Sequence, residues 1–142
     1  MNAIASLKAS APLLLIMLVC PAALAEEAYF KTPSNNIYCM YFDDGETAEL
    51  RCDISEYKPS NTQPPDGCDL DWGGAFVIDA KANRGTMLCH GDTVISDQAM
   101  TLRYGTSWQG GGITCTSENT GLTCENSKGH GFFLSRAKQK VF

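Results

Sequence analysis

Helix-length stretches with a 3.6-residue apolar period are missing from this sequence, which excludes helical bundles and alternating α/β folds. Histidine is scarce, with two in the chain, and no G-x-S-x-G elbow is present. Hydrolases built on that elbow are therefore excluded. Basic residues number 11 against 16 acidic ones. Nucleic acid and anionic membrane surfaces both demand basic patches, so neither is an expected partner. The apolar run Leu13 to Val19 falls far short of the roughly 20 residues that span a bilayer. Repeats, linkers and low-complexity segments are also absent.

That short apolar run has a different meaning. Lys8 precedes it, Pro12 and Pro21 flank it, and Ala23-Leu24-Ala25 follows as a small-residue cleavage site. Residues 1–25 thus read as a secretory signal peptide, and no membrane span is expected after its removal. Cys20 follows Val19 rather than the small residue that lipid attachment requires. Cutting after Ala25 leaves 142 − 25 = 117 residues, one domain over 26–142, with 10 basic and 16 acidic side chains and a charge of −6. The expected location is periplasmic or secreted. An acidic domain suits a cationic partner, although such a charge also serves solubility alone.

Short alternating runs separated by Gly, Asn, Asp and Pro predict an all-β domain, a small disulfide-stabilised sandwich or barrel built from hairpins. Residues 37–42 and 49–54 flank Asp43-Asp44-Gly45-Glu46, and 75–80 and 86–89 flank Lys81 to Gly85. Residues 113–116 and 122–125 flank a turn closed by Asn119 and Gly121. Met100, Leu102 and Tyr104 alternate as a further strand, and Gly131 to Ala137 is the expected last one. Lys58 to Gly67, with three prolines, is expected as an ordered surface loop. Thr93 to Ala99 has room for a single helical turn. The expected core is Ile37, Ile54, Phe76, Ile78, Leu102, Ile113, Leu122 and Leu134.

Without Cys20 the cysteines are six, an even set in an exported domain and hence a disulfide framework. Cys39 and Cys52 lie at nearly equal distances from the Asp44-Gly45 turn, and Cys115 and Cys124 are equally placed about Asn119. Opposed cross-strand positions come close enough to bridge. Cys68 and Cys89 then pair by elimination, tying the proline loop to the second hairpin. Oxidised cysteines are neither nucleophiles nor metal ligands.

The remaining chemistry is sparse. His90, in Cys89-His90-Gly91-Asp92, has Asp92 as a possible orienting group, with Ser135, Ser107 or Thr93 as the hydroxyl that a hydrolase needs. His130 sits between Gly129 and Gly131, where unusual backbone or close packing is expected. Asp43, Asp44 and Glu46, and Asp66, Asp69 and Asp71, do not follow the calcium-loop pattern and read as turn-forming acids. No metal or cofactor is expected. Trp72-Gly73-Gly74 and Trp108-Gln109-Gly110-Gly111-Gly112 place indoles beside flexible backbone, as recognition anchors on loops do. Arg136, Lys138 and Lys140 form a basic, solvated tail.

Several segments resemble a family of small exported bacterial proteins that carries only a domain-of-unknown-function label. They are Phe30-Lys31-Thr32-Pro33-Ser34-Asn35-Asn36-Ile37-Tyr38-Cys39, Cys68-Asp69-Leu70-Asp71-Trp72-Gly73 and Cys89-His90-Gly91-Asp92-Thr93. The likeness continues through Gly112-Ile113-Thr114-Cys115, Thr120 to Asn126, Gly129-His130-Gly131-Phe132 and Leu134-Ser135-Arg136-Ala137. Where that family carries Gly, this chain has Asn35, which tolerates left-handed backbone. The resemblance implies a disulfide-bonded exported domain and assigns no catalytic residue. Bacterial lysozyme inhibitors share the small, exported, β-rich plan and bind a cationic enzyme, but their short Ser-Gly-x-x-Tyr loop is absent here.

The sequence therefore points to a monomeric, non-enzymatic binding module of the cell envelope, or an inhibitor of a cationic protein. The expected binding residues are Trp72, Tyr104, Trp108 and His130. A small envelope-acting hydrolase using His90 with Asp92, or His130, is the alternative.

Overall fold

The computed structural model describes residues 24–142. Nearly all of the signal segment therefore lies outside the described residues; the first strand opens at Glu26, the residue after the expected cut. Among the described residues there is no helix. Eleven strands form: β1 Glu26–Lys31, β2 Ile37–Asp43, β3 Ala48–Ile54, β4 Asp71–Asp79, β5 Thr86–His90, β6 Met100–Thr101, β7 Thr106–Gly110, β8 Ile113–Glu118, β9 Gly121–Asn126, β10 Gly131–Leu134 and β11 Gln139–Val141. Two sheets result, ordered β5-β4-β3-β2-β1-β6 and β11-β10-β9-β8-β7. Every pairing is antiparallel except β1 with β6. The all-β sandwich of hairpins is present.

Turn chemistry fixes the registers. In the β2–β3 turn, Asp44 Oδ1 accepts from the N–H groups of Glu46 and Thr47, and Gly45 takes φ 89°. Those bonds hold the Asp44 carboxyl below the usual carboxylate range. In the β1–β2 turn, Asn35 adopts φ 53°, the left-handed backbone that its place in the sequence requires. Cys39 consequently opposes Cys52, and Cys115 opposes Cys124.

All three expected bridges form: Cys39–Cys52, Cys68–Cys89 and Cys115–Cys124. The Cα atoms of each cross-strand pair are 4.1 Å apart, the close approach typical of non-hydrogen-bonded pairs. These two bridges also meet each other. The sulfurs of Cys39, Cys52 and Cys124 lie within 4.8 Å of one another in the buried interior. Aromatic pairs close the sandwich on either side, Phe76 with Phe132 at 6.0 Å and Trp108 with Phe30 and Tyr41 at 5.1 and 4.9 Å between ring centroids.

The expected core residues are buried apart from Leu102, which packs on the core only in part, and Phe30, Tyr41, Leu50 and Phe132 join them. Four expectations about elements are corrected. The strand expected over 100–104 is the two-residue β6, because Leu102 N–H bonds Lys31 and the chain then leaves for the second sheet. Trp72 and Trp108 stand on strands β4 and β7 rather than on loops. The last strand stops at Leu134, where the Ser135 hydroxyl closes a turn on Lys138. The basic tail runs into a strand that the sequence does not predict: Lys140 is on β11 beside buried Gln139, Arg136 and Lys138 lie in the turn before it, and all three basic side chains are exposed. Thr93 to Ala99 contains a single turn, Ala99 N–H to Ser96 C=O, and no helix.

Two buried polar groups yield predictions. Ser117 is fully buried and its Oγ has no partner. An unpaired buried hydroxyl costs about 1–3 kcal/mol. Ser117→Ala should therefore raise the thermal midpoint by the equivalent of about 1 kcal/mol once the small void is counted; a lowered midpoint would expose a hidden partner. Tyr41 is also buried, and its hydroxyl donates to Asp43 Oδ2 at 2.9 Å. Burial first, then the Asp43 bond, pushes its pKa up to about 12. The neutral phenol is the folded form, so its stabilising effect is complete below pH ~10 and is lost as pH rises through about 12. Alkaline titration followed by phenolate absorbance should show a tyrosine ionising at about pH 12, a step that Tyr41→Phe removes.

Candidate functional site

The first candidate begins with a buried ion pair. Arg51 on β3 donates to both carboxylate oxygens of Asp53, at 2.9 and 3.1 Å, and both side chains are largely buried. The guanidinium also reaches Asp92, donating at 2.8 Å to the carboxylate and at 3.0 Å to the carbonyl. Asp53 Oδ2 accepts from Val94 N–H. Together these bonds pin the segment after β5 onto the sheet. Arg51 first by hydrogen bond, then by charge, holds the Asp92 carboxyl below its usual range.

His90 ends β5 directly opposite Asp71, the first residue of β4, across an irregularity between Asp71 and Ala75. Its Nδ1 lies 2.7 Å from the Asp92 carbonyl. A carbonyl only accepts, so Nδ1 carries a proton and donates it to this bond. Asp92 does orient His90, but through its backbone; the carboxylate expected for that task belongs to Arg51. The proposed hydroxyls are engaged elsewhere. Thr93 Oγ1 accepts from Ile95 N–H, Ser107 Oγ pairs with Thr116, and Ser135 Oγ with Lys138.

An open shelf of about 310 Å³ lies here, lined by Asp53, Ser55, Tyr57, Asp71, Trp72, His90 and Ile95, among others. Gly73 and Gly74 keep the backbone bare beneath the Tyr57 ring, whose hydroxyl would sit 3.3 and 3.1 Å from any Cβ added there. Burial first, then the charge of Asp71, pushes the Tyr57 phenol up. The indole Nε1 of Trp72 is buried without a partner. Leu70 and Ile95, both exposed, flank the shelf, and Leu70 leans against Gly91. Three carboxylates (Asp53, Asp71, Asp92) stand against one guanidinium, so the shelf is net negative.

The other sequence-expected binding residues are not gathered on this shelf. Trp108 packs between the sheets, stacked on Phe30, and its ring leaves no room for a Cβ at Gly110. His130 lies in the β9–β10 turn, where its N–H donates to Asn126 Oδ1. Tyr104 is exposed and faces a separate cleft of about 380 Å³. Three segments that carry the family resemblance, around Thr32–Ile37, Thr120–Gly121 and Ser135–Ala137, close that cleft. A third hollow, about 580 Å³, runs along Gln109–Thr114 and Glu125–Gly129. Sequence reasoning passed over Tyr57 and Arg51; an arginine two residues before an aspartate on a strand, Arg51-x-Asp53, was the available signal for the ion pair.

A model of a family of unknown function, DUF6636, matches residues 12–142, and the chain belongs to that family. No curated protein and no solved structure matches the chain. Among the described residues no helix is long and apolar enough to cross a membrane.

Proposed function

We propose that this chain is a non-catalytic binding module working outside the cytosol, periplasmic or secreted, and that its Trp72 shelf receives a cationic side chain of a protein or envelope partner. The observation that carries this reading is the unpaired Asp71 carboxylate beside Trp72 and Tyr57 in an open, net-negative hollow. An ammonium or guanidinium gains from both the charge and the ring faces. Leu70 and Ile95 supply an apolar rim against which the partner's neighbouring side chains bury. Three disulfides suit an oxidising compartment and hold the shelf rigid without a ligand. His90 supports binding better than proton transfer, since its orienting carboxylate is held by Arg51.

The test is capture from native envelope and host fluid with the oxidised domain, followed by calorimetry with trilysine amide as a defined cation. Asp71→Asn, an exposed change, should weaken the trilysine complex three- to fivefold, on the order of 1 kcal/mol. Trp72→Ala should weaken it by about tenfold or more. If both variants bind trilysine and retain the same captured partners as the parent, the shelf is not the recognition face.

A further inference from the structure

Tyr104 faces a cleft built from both sheets, and this cleft differs in chemistry from the shelf. The β1–β2 turn contributes Ser34 and Asn36, the end of β8 contributes Glu118, the β8–β9 turn Asn119 and Thr120, and the β10–β11 turn Arg136. Some of these polar groups are already occupied by the fold. The Asn36 amide donates to the Glu56 carbonyl at 2.9 Å and accepts from the Glu56 N–H at 2.7 Å. Arg136 pairs with Glu56 at 3.2 Å. The side chains of Tyr104, Glu118, Asn119 and Thr120 make no hydrogen bond to a neighbour among the described residues, and all four are exposed. The cleft thus offers one open aromatic face and, beside it, a hydroxyl, an amide and a carboxylate with donor and acceptor capacity left over.

Ligand classes can be sorted by what this lining would do to them. An anion would need Arg136, whose charge is met by Glu56, and would face Glu118. A cation would find only Glu118, an exposed carboxylate screened by water, and would gain little from it. An apolar ligand would strand the polar rim, at a cost of about 1–3 kcal/mol for each group left unpaired. A neutral, hydroxyl-rich ring meets none of these objections. Its C–H face covers the Tyr104 ring, while its hydroxyl edge bonds Asn119, Thr120 and Glu118. The volume, about 380 Å³, suits one or two sugar units. We infer that this cleft is a binding site for a neutral saccharide, independent of the cationic shelf.

The experiment is a ¹H–¹⁵N correlation titration of the oxidised domain with chitotriose and with maltotriose, and in parallel co-sedimentation with insoluble peptidoglycan. At least one trisaccharide should shift the amides around Tyr104, Asn119 and Thr120 saturably, with a Kd on the order of 1 mM. Tyr104→Ala should weaken that binding by about tenfold or more, while its melting temperature stays at the parent value because the ring is exposed. Asp71→Asn, on the shelf, should leave it unchanged. Sedimentation lost in Tyr104→Ala assigns the saccharide to the polymer; trisaccharide shifts without sedimentation assign it to free sugars. Absence of shifts with both trisaccharides at about 20 mM overturns the inference. So do shifts that persist in Tyr104→Ala, or equal shifts from inorganic phosphate.

Discussion

Reducing all three bridges is expected to unfold the domain at room temperature, and the bridges should open in a definite order. Loops closed over 13, 21 and 9 residues correspond to about 9 kcal/mol together in the chain-entropy model. That matches the whole stability of a typical domain, about 5–15 kcal/mol. The interior reinforces the estimate, since four of its fully buried side chains are the half-cystines Cys39, Cys52, Cys115 and Cys124. Cys68–Cys89 is only partly buried and joins the proline loop to β5, so mild reductant should open it first with the strands intact. The other two bridges touch each other in the core, and reductant reaches them only when the sheets separate. Thiol trapping with mass spectrometry, read beside far-ultraviolet circular dichroism, checks this. Trapped Cys39 or Cys124 thiols in a population that keeps its β signal would contradict it. Because the two core bridges are in contact, the losses from removing each singly should not add to the loss from removing both.

The bridges were legible in the sequence because each core pair straddles a turn that names itself. Asp44-Gly45 and Asn119 with Gly121 fix the hairpin midpoints, and equal spacing does the rest. What could not be read lies mostly at sheet margins. β7 is an edge strand of Thr, Ser and Gln around one tryptophan, and β11 is an edge strand of Gln and Lys. Edges keep polar residues on purpose, so their alternation is faint. The glycine run after Trp108 suggested flexibility for the same local reason. In the folded chain Gly110 and Gly111 are bare because the Trp108 and Tyr41 rings occupy the space beside them. At the shelf, Trp72 and His90 stood out as residue types. Their companions did not, since Arg51 reaches Asp92 across 41 residues and Asp71 meets His90 only through an irregular register. Tertiary pairing of that span leaves no local periodic trace.

Gly131→Ala is the single substitution expected to cost most, about 3 kcal/mol or more. Glycine is needed there for close approach rather than for a left-handed turn, since its φ is not positive while that of neighbouring Gly129 is 79°. An added Cβ would overlap the Cys124 carbonyl oxygen and lie 2.8 Å from Glu125 Cα. Both obstacles are backbone of the paired strand, and no side chain can rotate away. The same glycine also joins the two sheets. Its N–H donates to the Phe142 carbonyl at 2.7 Å and its own carbonyl accepts from Phe142 N–H at 2.9 Å. Gly85, from the β4–β5 turn of the other sheet, donates to that Phe142 carbonyl at 2.9 Å, and a Cβ on it would overlap the Gly131 carbonyl. Gly85→Ala should therefore be damaging as well, by pressing the sheets apart rather than by spoiling one strand pair. Gly129→Ala provides the contrast, with nothing within 4 Å of the added atom and only the left-handed strain of about 1–2 kcal/mol. Urea midpoints for the three variants should fall in the order Gly129→Ala mildest and Gly131→Ala most severe. If Gly131→Ala unfolds within about 1 kcal/mol of the parent, the seam of Gly85, Gly131 and Phe142 does not hold the sheets at that end.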